Sequence, residues 1–169
     1  MSKIKSYIKL LRPKHWVKNV LVFVPNVFAG TLFHLDIFLQ LITVFFSFSL
    51  IASTVYIIND INDAEKDRQH EIKKHRPIAS GDVKISEAII LCVIIATLSL
   101  VLLYLSKPVN IIGSFVALLI YLVTNILYSR GLKNKPIIDV MILAAGFVLR
   151  VIFGAQVGRL SENPDLVKG

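Results

Sequence analysis

Long stretches without charged residues alternate with short polar segments along this chain. Three stretches contain no Asp, Glu, Lys or Arg, at 37–58, 88–106 and 108–129. An α-helix rises about 1.5 Å per residue, so a bilayer core of about 30 Å needs roughly 20 apolar residues. The pattern therefore predicts three membrane-spanning helices.

Two further apolar stretches are less regular. Residues 137–158 contain Asp139 near one end and Arg150 inside, and the shorter stretch 19–35 contains Pro25. Proline removes a helical hydrogen bond, so we expect the stretch at 19–35, the first along the chain, to be a kinked or tilted helix. The sequence as a whole predicts an all-α integral membrane helical bundle with about five transmembrane helices.

Composition supports the membrane assignment. Hydrophobic residues make up 55% of the 169 residues, charged residues 18%, and the mean hydropathy is +0.70. Soluble domains average about half apolar and a quarter charged residues. We expect one transmembrane domain over residues 1–158, followed by a polar C-terminal tail at 159–169.

Most of the 19 Lys and Arg residues lie before the first span or in the loops after the second and fourth spans. Such residues are retained on the cytoplasmic side. The N-terminus and the charged loop at 59–84 are therefore expected to face the cytoplasm, across the plasma membrane of a prokaryote. The formal charge of +8 indicates membrane lipid as a partner, and no nucleic acid, because anionic headgroups attract basic residues beside spans.

The second span runs directly into an acidic segment, where Asp60, Asp63 and Asp67 are spaced i, i+3 and i+7. If the helix continues, these carboxylates share one face. A divalent cation relieves their repulsion, and Mg²⁺ prefers one or two carboxylates together with phosphate oxygens and water. The spacing predicts a magnesium site for a phosphorylated ligand, with these three aspartates as the catalytic residues.

Basic side chains follow the acidic segment at once and can neutralise phosphate oxygens. They are Arg68, Lys73, Lys74, His75 and Arg76. Acidic metal ligands beside basic groups indicate a diphosphate site, at which metal and cations stabilise a departing diphosphate. The alternative is a solvated loop of mixed charge, but helical spacing beside a membrane span favours the site.

Four segments together resemble the UbiA-type polyprenyl-transferase superfamily, and most closely its decaprenyl-phosphate phosphoribosyltransferase-like branch. They are LRPKHWVKN (11–19), NDINDAEKDRQHEIKKHRPIASG (59–81), YSRGLK (128–133) and IIDVMILAAGFVLR (137–150). The resemblance implies the N-terminal part of a fold of about nine helices. It also implies that Mg²⁺ is held by Asn59, Asp60, Asp63 and Asp67.

Several residues are predicted to bind substrate, some from their chemistry and some from the resemblance. They are Asn59, Arg68, Lys74, Arg76, Lys14, Lys18, Tyr128, Lys133 and Arg150. Tyr128 and Lys133 stand one residue further apart than the YxxxK pattern of the superfamily. A charge at Arg150, inside a span, is costly unless it is paired or faces a cavity. We expect it to line a polar cavity; the alternative is pairing with backbone or snorkelling.

The resemblance implies a Mg²⁺-dependent transferase that acts on polyprenyl lipid and diphosphate substrates. The first expectation is transfer of phosphoribosyl from phosphoribosyl diphosphate to a polyprenyl phosphate. The alternatives are prenyl transfer from a prenyl diphosphate to an aromatic or other acceptor, and a truncated, inactive fragment that binds lipid or a partner.

No second Asp-rich motif follows in the sequence, so a missing C-terminal half or a homo-oligomer is an expected partner. A small transporter or channel subunit is a further rival. It predicts polar residues along several spans, whereas polarity here is concentrated at one end.

Overall fold

The computed structural model describes residues 3–130 and 136–157, and within them the chain is helical with no β-strand. This confirms the all-α class. The elements are α1 (Lys3–Leu11), a long 3-10 helix (Pro13–Phe23), α2 (Val24–Phe28), α3 (Leu35–Asn62), α4 (Ala64–Arg68), a 3-10 turn (Lys73–His75), α5 (Ile85–Leu105), α6 (Ile111–Ser129) and α7 (Pro136–Ala155).

Helices α3, α5 and α6 are long and apolar enough to cross a membrane, as the three uncharged stretches predict. Helix α7 has a shorter apolar part, Val140–Ala155. The first apolar stretch is broken rather than continuous: the 3-10 helix passes into the five-residue α2. Pro25 lies in the first turn of α2, where its missing N–H leaves no helical bond unmade. The predicted kink is thus a change of helix type.

Helix α3 is the centre of the bundle, and it contacts α1, the 3-10 helix, α5, α6 and α7. In its most apolar window 67% of residues are buried, against 22% in α5 and in α6. The outer faces of α5 and α6 expose large apolar side chains such as Ile90, Ile94 and Ile112. Such faces fit contact with lipid, because the bilayer core solvates apolar side chains.

Three charged or polar segments meet at one end of the bundle. Lys3 Nζ of α1 pairs with Glu87 Oε1 of α5 at 2.6 Å, and Ser129 Oγ of α6 donates to Asn59 Oδ1 of α3. We call this the polar end. It brings together the N-terminal segment, the loop at 59–84 and the end of α6.

The 3-10 helix and α7 approach each other very closely at Gly154. A Cβ atom there would lie 1.8 Å from the carbonyl oxygen of Val22. Asn26 Nδ2 also donates to the Gly154 carbonyl oxygen at 3.0 Å. Only glycine permits this contact, which sets the position of α7 against the 3-10 helix.

Candidate functional site

Two buried carboxylates come together at the polar end, where α3 passes into α4. Only Asp63 separates the two helices, and backbone bonds run through the break from Asp63 N to Asn59 O (2.9 Å) and from Asp67 N to Asp63 O (2.8 Å). The chain therefore keeps nearly helical geometry across the junction. Asp60 and Asp67, about two turns apart, remain on one face.

Two arginines neutralise these carboxylates. Asp60 and Asp67 are each 2% exposed. Arg12 Nη2 donates to Asp60 Oδ1 at 2.6 Å, and Arg76 Nη1 donates to both Asp60 Oδ1 (3.1 Å) and Asp67 Oδ2 (2.7 Å). We call these four residues the acidic cluster. Buried carboxylates without such partners would be strongly destabilising.

Arg12 is a site residue that the sequence does not single out, because it is one of several basic residues before the first span that predict membrane topology. Its backbone is left-handed, with φ of 51°, which is uncommon for a residue other than glycine. The guanidinium carbon lies 4.9 Å from the centre of the Tyr56 ring. The Arg-Pro pair before the first apolar stretch was the available signal, but nothing in the sequence connects it with Asp60.

The other two predicted metal ligands are placed differently. Asn59 Oδ1 accepts the hydrogen bond from Ser129. The Asp63 side chain is half-buried and makes no hydrogen bond or ion pair with another described residue. Among the side chains that the structure describes, in residues 3–130, 137–138 and 140–157, no three from His, Cys, Asp or Glu are grouped closely enough to hold a metal. The four-residue ligand set stays a prediction.

The donor set nevertheless fits Mg²⁺ in one way. Asp60 and Asp67 share a single Arg76 nitrogen, so their oxygens are already close together. Mg²⁺ is usually bound by one or two carboxylates, with phosphate oxygens and water completing its octahedral shell. The pair suits a cation that arrives with a phosphorylated ligand, and it does not form a closed protein cage.

Of the basic residues that follow the acidic segment, only Arg76 joins the acidic cluster. Arg68 Nη1 instead pairs with Glu65 Oε1 on the exposed side of α4. Lys74 is exposed. Lys133 lies outside the described residues, as does the predicted tail at 159–169.

Lys14 lines a cavity of about 680 Å³ at the polar end, together with Arg12, Asp60 and Arg76. His15 also lines it. Desolvation lowers the pKa of His15, and the charges of Arg12 and Lys18 act in the same direction. The positive charge of this cavity therefore comes from its lysines and arginines.

Arg150 is buried within the bundle, 7% exposed, and is held by neutral groups. Its Nε donates to Asn19 Oδ1 at 2.9 Å, Nη1 to the Gly146 carbonyl oxygen, and Nη2 to the Tyr121 hydroxyl at 3.3 Å. No ion pair connects it to a carboxylate among the described residues. Asn19 is fixed in turn, since its Nδ2 donates to Ser49 Oγ at 2.9 Å.

Aromatic rings surround the same guanidinium. Its carbon lies 5.1, 5.2 and 5.8 Å from the ring centres of Phe48, Tyr121 and Phe147, which favours the cation electrostatically. Arg150 also borders a small cavity of about 90 Å³, which Lys18 and Tyr128 line as well. Three of the predicted substrate-binding residues thus line one cavity: Lys18, Tyr128 and Arg150.

Comparison with known proteins gives one consistent family. The model of the UbiA prenyltransferase family matches residues 20–162. A decaprenyl-phosphate phosphoribosyltransferase of Corynebacterium glutamicum is 35% identical over 149 residues, which cover 87% of this chain and 44% of that protein.

Solved structures agree with the sequence comparison. One, from work on digeranylgeranylglyceryl phosphate synthase, superposes with a TM-score of 0.74 at 27% identity. The match covers 91% of this chain and 53% of the chain in that structure. A UbiA homolog from Archaeoglobus fulgidus bound to GPP and Mg²⁺ gives 0.70 at 25% identity, with 90% and 54% covered. The chain spans about half the length of the relatives it matches. These matches confirm the resemblance found in the motifs: the chain belongs to the UbiA prenyltransferase family.

Proposed function

We propose that this chain contributes the diphosphate-binding part of a Mg²⁺-dependent membrane transferase that moves phosphoribosyl from phosphoribosyl diphosphate to a polyprenyl phosphate. The observation that carries the proposal is the pair of buried carboxylates, Asp60 and Asp67, joined by Arg76. One Arg76 nitrogen bridges both carboxylates, so these oxygens lie close enough together to share one cation. Mg²⁺ prefers one or two carboxylates together with phosphate oxygens, so the pair suits a metal that binds with a diphosphate.

Each member of the acidic cluster has a proposed role. Asp60 and Asp67 bind Mg²⁺, and Asn59 and Asp63 remain proposed as further ligands. Arg76 would pair with the diphosphate when Asp60 and Asp67 hold the metal, since a guanidinium fork suits phosphate oxygens. Bound Mg²⁺ supplies Lewis-acid stabilisation of the charge that develops on the departing diphosphate.

Prenyl transfer is the second candidate. The Archaeoglobus relative binds GPP and Mg²⁺, whereas the phosphoribosyl assignment follows the Corynebacterium relative. Both reactions need the same departure of diphosphate, so the acidic cluster does not separate them. The donor that this chain binds more tightly decides between them.

We also propose that the polar end faces the cytoplasm, following the distribution of basic residues. A single cysteine at Lys66, in a Cys92→Ser background, tests the orientation. A membrane-impermeant thiol reagent should label it in inverted vesicles and not in intact cells. The reverse labelling would overturn the orientation.

The test of function is binding rather than turnover, because the relatives are about twice as long and a partner half or a homo-oligomer is a proposed requirement for activity. The chain in lipid nanodiscs is titrated with phosphoribosyl diphosphate or GPP, with and without Mg²⁺, by calorimetry. We expect Mg²⁺-dependent binding that Asp67→Asn or Asp63→Ala abolishes. Glu65→Gln is the matched control, since Glu65 is an exposed acid on α4 whose one ion pair with a described residue is with Arg68. Binding that survives Asp67→Asn would remove the proposed site.

A further inference from the structure

We propose that the cavity at the polar end binds the phosphate of a lipid-linked phosphate monoester, and so recognises the acceptor lipid. This inference rests on the proposed function, because it assigns a place to the second substrate of the same reaction. It goes further in using residues outside the acidic segment, above all Lys5 and Lys9 of α1.

The charge of the cavity is strongly unbalanced. Five cationic side chains line it, from Lys5, Lys9, Arg12, Lys14 and Arg76. Its one lining carboxylate, Asp60, already accepts hydrogen bonds from both arginines. The lysines therefore add positive charge that no described carboxylate lining the cavity offsets, which suits a ligand with two negative charges.

Two of these lysines are available to a ligand. Lys5 and Lys14 are exposed and make no side-chain hydrogen bond or ion pair with another described residue. Lys9 is already engaged, because its Nζ donates to the His75 carbonyl oxygen at 2.7 Å and so joins α1 to the loop that carries Arg76. The cavity is thus formed between α1, the start of the 3-10 helix and this loop.

The rim of the cavity is apolar and lies where the membrane surface is expected. Ile8, Pro13 and Pro77 line it. On α1, Ile4 and Ile8 are 68% and 52% exposed beside the lysines, a pattern typical of a helix lying in the interface. A free phosphate gains no binding energy from this apolar surface. A phosphate attached to a hydrocarbon chain can contact the lysines through its phosphate and the apolar rim through its chain.

The cavity also opens onto the acidic cluster. Arg12, Asp60 and Arg76 belong to both. A phosphate held by Lys5 and Lys14 would therefore lie beside the cluster proposed to hold the diphosphate donor. Binding both groups at adjoining sites suits a phosphate oxygen that acts as the nucleophile, because positioning both reactants is a large part of transferase catalysis.

The experiment uses the full chain in phosphatidylcholine nanodiscs, titrated with farnesyl monophosphate by calorimetry. We expect saturable binding, and the double variant Lys5→Ser/Lys14→Ser should raise Kd about tenfold. The matched control is Lys66→Ser/Lys84→Ser, which removes the same charge from two exposed lysines that do not line the cavity. It should change Kd by less than about twofold, since distant exposed charges are screened.

Further arms identify the source of the phosphate. Inorganic phosphate should bind much more weakly than farnesyl monophosphate, and phosphatidylglycerol in the nanodiscs, a phosphodiester, should compete only weakly. Equal weakening by both double variants, equal affinity for inorganic phosphate, or complete competition by phosphatidylglycerol would each overturn the inference. Binding of phosphoribosyl diphosphate without binding of farnesyl monophosphate would contradict this inference alone. If the chain bound neither ligand, the proposed function would be contradicted as well.

Discussion

The acidic cluster and the surroundings of Arg150 bury charge in opposite ways. In the cluster, Asp60 and Asp67 are compensated by full opposite charges from Arg12 and Arg76. Arg150 is compensated only by neutral oxygens and aromatic rings among the described residues. The first arrangement is electrically balanced, and the second keeps its positive charge.

The two arrangements also differ in how easily they can change. The side chains of Arg12 and Arg76 are 22% and 28% exposed, so water, a cation or a phosphate can reach them. Arg150 is 7% exposed, and its partners come from the 3-10 helix, α6 and α7. The acidic cluster is therefore suited to exchanging partners with ligands, whereas Arg150 connects helices.

The largest expected loss of stability comes from a substitution on α7, the helix that carries Arg150. Gly154→Ala places a methyl group against the Val22 carbonyl and should force α7 away from the 3-10 helix. We expect a loss of about 3 kcal/mol or more in stability, as for severe overpacking. Thermal unfolding in detergent measures it. Gly146→Ala is the milder change on the same helix, since its added Cβ would meet a side-chain nitrogen of Arg150 at 3.3 Å rather than backbone, and it should cost much less than Gly154→Ala.

Arg150→Met tests whether the charge itself is needed. It leaves Asn19 Oδ1 without its donor, and an unsatisfied buried acceptor costs about 1–3 kcal/mol. We expect the free energy of unfolding, measured by thermal unfolding, to fall by about 2 kcal/mol. Asp60 and Asp67 should still bind Mg²⁺ and diphosphate. An unchanged melting temperature would show that Arg150 does not connect the helices.

Arg76→Gln should act on the acidic cluster in a way that depends on the metal. Without Mg²⁺ the two buried carboxylates lose a shared cation, but Arg12 still pairs with Asp60 and the Arg76 side chain is 28% exposed. We therefore expect a loss of about 1–2 kcal/mol in the free energy of unfolding, below the cost of about 3–5 kcal/mol for breaking a fully buried pair. Added Mg²⁺ should then raise the melting temperature more in this variant than in the wild type, because no guanidinium competes for the carboxylates. Equal shifts in both proteins would contradict an exchange between Arg76 and Mg²⁺.

Arg68→Gln should have the smallest effect. Arg68 pairs with Glu65 at the surface, with side-chain exposures of 45% and 85%. Exposed pairs of this kind contribute about 0.5 kcal/mol or less. A loss comparable with that of Arg76→Gln would mean that Arg68 belongs to the site after all, as the sequence suggested.

The features predicted correctly are those with local causes. The spans α3, α5 and α6 follow from length and apolarity alone. Of the three aspartates predicted to share one face, Asp60 and Asp67 do so, since backbone hydrogen bonding continues past Asp63. Asp63 does not join them in the acidic cluster, and its predicted place in the site stays a prediction.

The features that were missed depend on contacts between distant parts of the chain. Arg12 and Asp60 are 48 residues apart, and Asn19 and Arg150 are 131 apart. The 3-10 helix and α2 are similarly joined to distant helices, by the hydrogen bond from Asn19 Nδ2 to Ser49 Oγ and by that from Asn26 Nδ2 to the Gly154 carbonyl oxygen. Local propensity and periodicity carry no information about such pairings.

The most direct test of the magnesium-diphosphate site is electron-nuclear double resonance with Mn²⁺ in place of Mg²⁺. The full chain in nanodiscs is loaded with Mn²⁺ and phosphoribosyl diphosphate, and ³¹P couplings to the bound metal are recorded for the wild type, Asp67→Asn and Glu65→Gln. The proposal predicts ³¹P couplings in the wild type and in Glu65→Gln, and their loss in Asp67→Asn. Protein-bound Mn²⁺ with the same ³¹P couplings in Asp67→Asn would contradict it.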